Sequence, residues 1–150
     1  MKNLFDAATA NEVKLRIEKL GPKSQRQWGK MNAAQAMAHC ATTMEWAVGD
    51  NNPPRMFIGR LIGPLAKSKV LNGDEPMAKN TPTAKSLVVN DERELSKECQ
   101  RLSALVDRFA SGGPQRCTKH PHTFFGPLKP DEWAALMYKH LDHHLRQFGV

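Results

Sequence analysis

The sequence predicts an all-α fold: a four-helix bundle with a long irregular crossover between the second and third main helices. Apolar residues recur at helical spacing in separate segments, each closed by its own Gly or Pro stop. Strand signals are nearly absent, since Leu87-Val88-Val89 is too short to build a sheet on. Residues 72–90 carry Gly, Asn and Pro without periodicity and read as an extended surface loop. With 150 residues, the chain is expected to be one domain, 1–150, able to bury a core without disulfide help.

The first helix is expected over 11–20, where Val13, Ile17 and Leu20 share a face and Gly21-Pro22 follows. Asn32 is placed to cap the second helix, an Ala-rich stretch that ends at Val48 before Gly49-Asp50. Residues 55–71 are apolar with basic interruptions, and Gly59, Gly63 and Pro64 reduce the expectation there to one or two short turns. Met56 to Leu65 is a candidate cover for a pocket or a homodimer surface. Over 91–111, Leu95, Cys99, Leu102, Val106 and Phe109 form a core-facing stripe. Asp91, Glu92 and Glu94 are expected in that helix's first turn, and Gly112-Gly113-Pro114 as its stop. The last helix is expected from about Trp133 to Phe148, with Pro130 in the first-turn position.

Composition excludes several classes of function. The chain is 40% hydrophobic and 25% charged, and no apolar run approaches the length of a membrane span. Its start lacks a secretory-signal pattern. The three cysteines, Cys40, Cys99 and Cys117, are far apart and show no CxxC spacing, so a reducing, cytoplasmic setting is expected. Net charge is +7, but the basic residues are scattered and lack a nucleic-acid-binding motif. Nucleic acid is therefore not the expected partner.

Chemistry is concentrated in the histidines. His140 and His144 are about 40° apart on a helix of 3.6 residues per turn, so they stack on one face with Trp133, Leu136 and Met137. Two imidazoles at i and i+4 form a natural metal clamp. His39, the one histidine of the first 119 residues, is the candidate third ligand, and Gln35, Ala36, Thr42, Thr43 and Trp46 lie on its face. His120 and His122 precede the last helix and are candidates for a fourth contact, though a loop role is the plainer reading; His143 falls on the edge of the face. Cys40 adjoins His39, but helix neighbours point about 100° apart, and it reads as a packed thiol.

Several segments carry a family resemblance: Trp28-Gly29-Lys30-Met31, Ala36-Met37-Ala38-His39-Cys40, His120-Pro121 through Phe124-Phe125-Gly126-Pro127-Leu128 to Glu132-Trp133, and Met137 through Gly149. Together they resemble a bacterial domain-of-unknown-function family within the DinB/YfiT-like superfamily, almost end to end. The resemblance implies a DinB-like four-helix bundle and a divalent metal held by one histidine of the second helix and two of the last. Here those are His39, His140 and His144. Lys129 stands where a capping Thr or Ser is expected. Superfamily members include metal-dependent thiol transferases and hydrolase-like enzymes, and many of no assigned activity.

Three neutral imidazoles leave a coordination position open. Zn or Ni is the expected metal, with Fe or Cu also compatible. By angular position no carboxylate lies on the inner face: Glu45 is about 120° from His39, Asp142 points outward and Glu132 is marginal. Thr42, Thr43, Gln35 and Gln147 are expected to orient a ligand. The expectation is a metal-dependent transferase using a low-molecular-weight thiol and a small-molecule substrate. The alternatives are a metal-dependent hydrolase and a non-catalytic binding or stress-related protein with a vestigial metal site.

Overall fold

Asp6 begins the first helix earlier than periodicity suggests, because its carboxylate accepts the Thr9 N–H at 2.8 Å. This is α1, Ala7–Glu18, and it buries Ala10, Val13 and Ile17. Here and throughout, a computed structural model describes residues 1–73, 75–81 and 83–150. Helix α2, Ala33–Val48, opens with a reciprocal capping box between Asn32 and Gln35 and ends at Gly49. The Gln35 side chain also donates to the Asp91 carbonyl, so it fixes a helix start and a loop rather than orienting a ligand.

The stretch expected to form short turns is instead a fifteen-residue helix, α3, Phe57–Leu71, with Pro64 inside it. Tertiary contact overrides weak propensity at this point. Gly59 and Gly63 lie one turn apart and press against the backbone of Phe124. A Cβ on Gly59 would sit 2.6 Å from the Phe124 carbonyl oxygen, and one on Gly63 would sit closer still. The N-terminal end is tied by the Met56 N–H to Thr123 O at 2.9 Å. The C-terminal end is held by Lys139, whose buried ammonium donates to the carbonyls of Val70, Gly73 and Glu75.

The crossover between α2 and the next long helix is therefore not irregular throughout. It contains α3 and a 3₁₀ turn at Lys85–Leu87. The rest of 72–90 is loop, apart from Asp74 and Pro82, which lie outside the described residues.

Helix α4, Leu95–Arg116, starts later than expected. Asp91 and Glu92 precede it, Asp91 paired with Arg93 at 2.9 Å, and Glu94 is its N-cap. The predicted stop is a kink: Gly113 takes φ 60°, a region that favours glycine, and the chain makes a further turn to Arg116. Helix α5, Pro130–Gln147, has Pro130 in its first turn as expected. Lys129 offers no side-chain cap, and Glu132 instead reaches back to the Lys129 N–H at 2.7 Å.

The described residues thus form five α-helices and no strand. A single core joins α1, α2, α4 and α5. The Ala-rich face of α2 lets α4 approach closely, bringing Met37, Met44, Leu102, Val106 and Phe109 together in the core. The predicted α4 stripe holds, with Leu95 and Cys99 packed at its partly buried end. Asp142 does not face water. It is buried against α1 and α5, bonded to Arg16 and Arg146, both at 2.8 Å. No helix among the described residues is long and apolar enough to cross a membrane.

Candidate metal centre

The central seam of α2 and α5 brings His39, His140 and His144 together. The ring centroids of His39 lie 4.9 Å from His140 and 4.8 Å from His144, and the His140–His144 separation is 4.8 Å. One nitrogen from each ring falls within 4.8 Å of the others, an arrangement able to hold a metal ion. Periodicity selected these three residues, and the fold collects all of them.

The second ring nitrogen shows how each imidazole is held. His39 Nδ1 lies 2.9 Å from the Leu87 carbonyl oxygen, so it carries the proton and donates. Thr43 has one hydroxyl proton, which goes to Cys40 O at 2.8 Å. Its oxygen, 3.1 Å from His140 Nδ1, therefore accepts. Gln147 donates its amide N–H to Trp28 O at 2.7 Å, which turns Oε1 toward His144 Nδ1 at 2.9 Å. All three rings are thereby Nδ1–H tautomers, and their Nε2 lone pairs are left free.

His39 Nε2 and His140 Nε2 then stand 2.9 Å apart as two acceptors. Bare lone pairs at that distance repel, and a cation shared between them removes the repulsion. Two nitrogens bound to zinc at about 2.0–2.1 Å with a tetrahedral angle lie about 3.3 Å apart, so small ring adjustments suffice. The donor set fits a borderline divalent cation, and the acceptors behind the rings are the outer partners that metal-ligating histidines use.

Electrostatics favour the neutral ligand form. Burial holds His39 below its ordinary value. His140 is pushed well below, by burial first and then by His144 and His39. His144 is lowered to about 3, again chiefly by burial. His39 and His144 are buried and His140 is partly buried. Nearby acids are engaged elsewhere: Asp142 with Arg16 and Arg146, Glu132 with Lys67, and Glu45 with Arg101.

The other candidates have structural roles. Nδ1 of His120 lies 3.0 Å from Pro121 O. His122 accepts the N–H groups of Phe124 and Phe125 and packs between Trp46 and Trp133, and burial lowers it to about 4. It holds the turn on which α3 rests. His143 Nδ1 lies 3.3 Å from Met77 O, and its ring meets Trp28 edge-on at 5.6 Å. Thr42 is bonded back to Ala38 O at 3.0 Å. The Cys40 thiol is buried and burial raises its pKa, which suits a packed side chain.

Sequence reasoning missed Leu87 and Trp28, which reach the centre only through backbone carbonyls. The short apolar run at Leu87-Val88-Val89 was the available sign that the loop is anchored there, and Leu87 is indeed buried.

A family model described as "Protein of unknown function (DUF1569)" matches residues 2–149. No curated protein and no solved structure matches the chain.

Proposed function

The chain belongs to the DUF1569 family of proteins of unknown function, and from that premise we propose that it is a DinB-like metalloenzyme that transfers a low-molecular-weight thiol. On this reading residues 1–150 are one domain, a four-helix bundle of α1, α2, α4 and α5 to which α3 is added. His39, His140 and His144 hold one divalent cation, zinc or nickel before iron or copper. The observation that carries the reading is that one nitrogen of each of the three rings lies within 4.8 Å of the others while each Nδ1 has its own oxygen partner, Leu87 O, Thr43 Oγ1 or Gln147 Oε1.

The cation, when bound, supplies the Lewis acidity that lowers a thiol's pKa toward neutrality. The chain's own residues do the rest. Leu87 O, Thr43 and Gln147 fix ring orientation and proton position, and Leu136 and Met137, buried one turn before His140 on α5, keep that stretch of the helix apolar. His140, the least buried of the three by surface area, is the side from which a small molecule would approach. The overall change forms a sulfur–carbon bond and breaks the bond from that carbon to a leaving group. The thiol proton departs with the leaving group, so no separate oxidant or reductant is required.

Thiol transfer is favoured over hydrolysis assisted by a carboxylate base, because a metal-bound thiolate needs no separate base. The acids near this centre are committed to Arg and Lys partners. A cytoplasmic setting, where low-molecular-weight thiols are abundant, accords with three free cysteines among the described residues. Incubation of zinc- or nickel-loaded protein with a panel of thiols and an alkylating electrophile tests the proposal. Conjugate formation that is lost in His140→Ala supports it. Thiol-independent cleavage of ester or amide substrates would support the hydrolase instead, and no turnover with any partner would support a binding protein.

A further inference from the structure

Helix α3 is amphipathic in the reverse of the usual sense. Its small residues, Gly59 and Gly63, face the body of the protein and meet the Phe124 backbone. Its bulky apolar residues face away: Phe57 is 77% exposed, Ile58 46%, Leu61 65%, Ile62 47% and Leu65 79%. They are the largest exposed apolar group among the described residues, and they lie on one stripe at i, i+1, i+4, i+5 and i+8. A monomer gains nothing from such a face. The glycines show that the helix is fixed in this orientation, because rotating it would drive side chains into the backbone of Phe124.

We propose that this face is the two-fold interface of a homodimer, formed by α3 of one protomer against α3 of its partner. Area supports a second copy. The five residues expose the equivalent of about three whole side chains, roughly 600 Å² at about 200 Å² each. Full burial of the face on two copies would remove up to about 1,200 Å² in total, which reaches the ~1,000 Å² that a specific interface needs. Geometry supports it as well. Phe57, Leu61 and Leu65 form an i±4 ridge beside the shorter Ile58–Ile62 row, and ridges of that kind interdigitate with their own copy. A dyad through Leu61 places Phe57 opposite the partner's Leu65.

Composition argues against a lipid surface. The stripe has neither Trp nor Tyr, the aromatic residues that anchor at a bilayer interface, and it lacks a cluster of free basic residues. Of the basic residues nearby, Lys67 is paired with Glu132, and Arg55 is turned inward onto Gly59 O. Arg60 and Lys69 remain on the outer side. An isologous interface also fits the absence of acidic residues on α3, since nothing there selects an oppositely charged partner.

Sedimentation equilibrium of the full chain, beside Leu61→Glu and Leu61→Lys variants, tests this. The wild type is expected to be a dimer at roughly 100 µM, above the micromolar dissociation constants that interfaces of this size reach. Each variant is expected to be monomeric with unchanged helical circular dichroism, because Leu61 is largely exposed within one chain. Mixing the two variants is expected to restore a dimer. A monomeric wild type at that concentration overturns the proposal, and so does a Leu61→Glu protein that remains dimeric. A monomer that sediments with vesicles containing phosphatidylserine would assign the face to a membrane and likewise overturn it. None of these readouts involves the metal centre.

Discussion

Gln147 stands one helical turn beyond His144 and bridges it to the N-terminal segment: Oε1 accepts from His144 Nδ1 at 2.9 Å while the amide N–H donates to Trp28 O at 2.7 Å. One side chain thus fixes both a tautomer and the docking of a loop. Gly29 belongs to the same arrangement, since a Cβ there would meet the Gln147 amide.

Gln147→Leu removes the acceptor and keeps much of the volume. Zinc affinity is expected to fall about 10–100-fold, the usual effect of losing an outer partner of a ligating histidine. Competition titration against a chelating dye measures it. Unchanged affinity would mean that Gln147 serves the loop alone.

Gly63→Ala puts a methyl group against the Phe124 carbonyl, where backbone must give way. A loss of about 1–3 kcal/mol is expected in urea denaturation. Gly21→Ala is the control: nothing lies within 4 Å of a Cβ there, and its effect is expected to stay within about 1 kcal/mol.

Much of this molecule was legible from residue spacing, and what was not follows a pattern. His39, His140 and His144 lie at helix-face positions, and helix geometry ties sequence offset to direction, so periodicity found them. The buried faces of α1, α4 and α5 were found in the same way. Helix α3 escaped because its stability lies in contact with the Phe124 backbone, far away in sequence, while Gly59, Gly63 and Pro64 all lower local propensity. Asp142 and Lys139 are charges that a helix projection sends to water, yet each is buried because a partner from another segment meets it. The Leu87 and Trp28 contributions are backbone carbonyls, which no side-chain pattern encodes.

Lys139→Met tests the anchoring of α3 at its C-terminal end. Methionine preserves the stem but leaves the carbonyls of Val70, Gly73 and Glu75 without their donor. A loss of about 2–4 kcal/mol is expected. Amide exchange in residues 66–73 is expected to accelerate, while α2 and α4 keep their protection relative to global unfolding. Uniform acceleration would place Lys139 in the common core instead.

Stability is expected to depend on pH through His122. Its folded pKa, lowered to about 4 by burial, lies below the ordinary value of 6.5. Between those values the unfolded chain binds more protons than the folded one. Stability therefore rises with pH across that window and is lost as pH falls toward 4, by about 3 kcal/mol from this group. His122→Asn keeps an acceptor for the Phe124 and Phe125 N–H groups but cannot titrate. Urea midpoints from pH 4 to 7 are expected to vary less in this variant than in the wild type. An identical slope would remove His122 as a source of acid sensitivity.

The most direct test of the account is the metal content of untagged protein, purified and then exchanged against zinc or nickel, with His39→Ala measured beside it. About one ion per chain is expected in the wild type, and almost none in the variant, whose helical circular dichroism is recorded as the check on folding. A wild type that retains no metal after loading, or a folded His39→Ala protein with the same stoichiometry, would contradict the three-histidine centre.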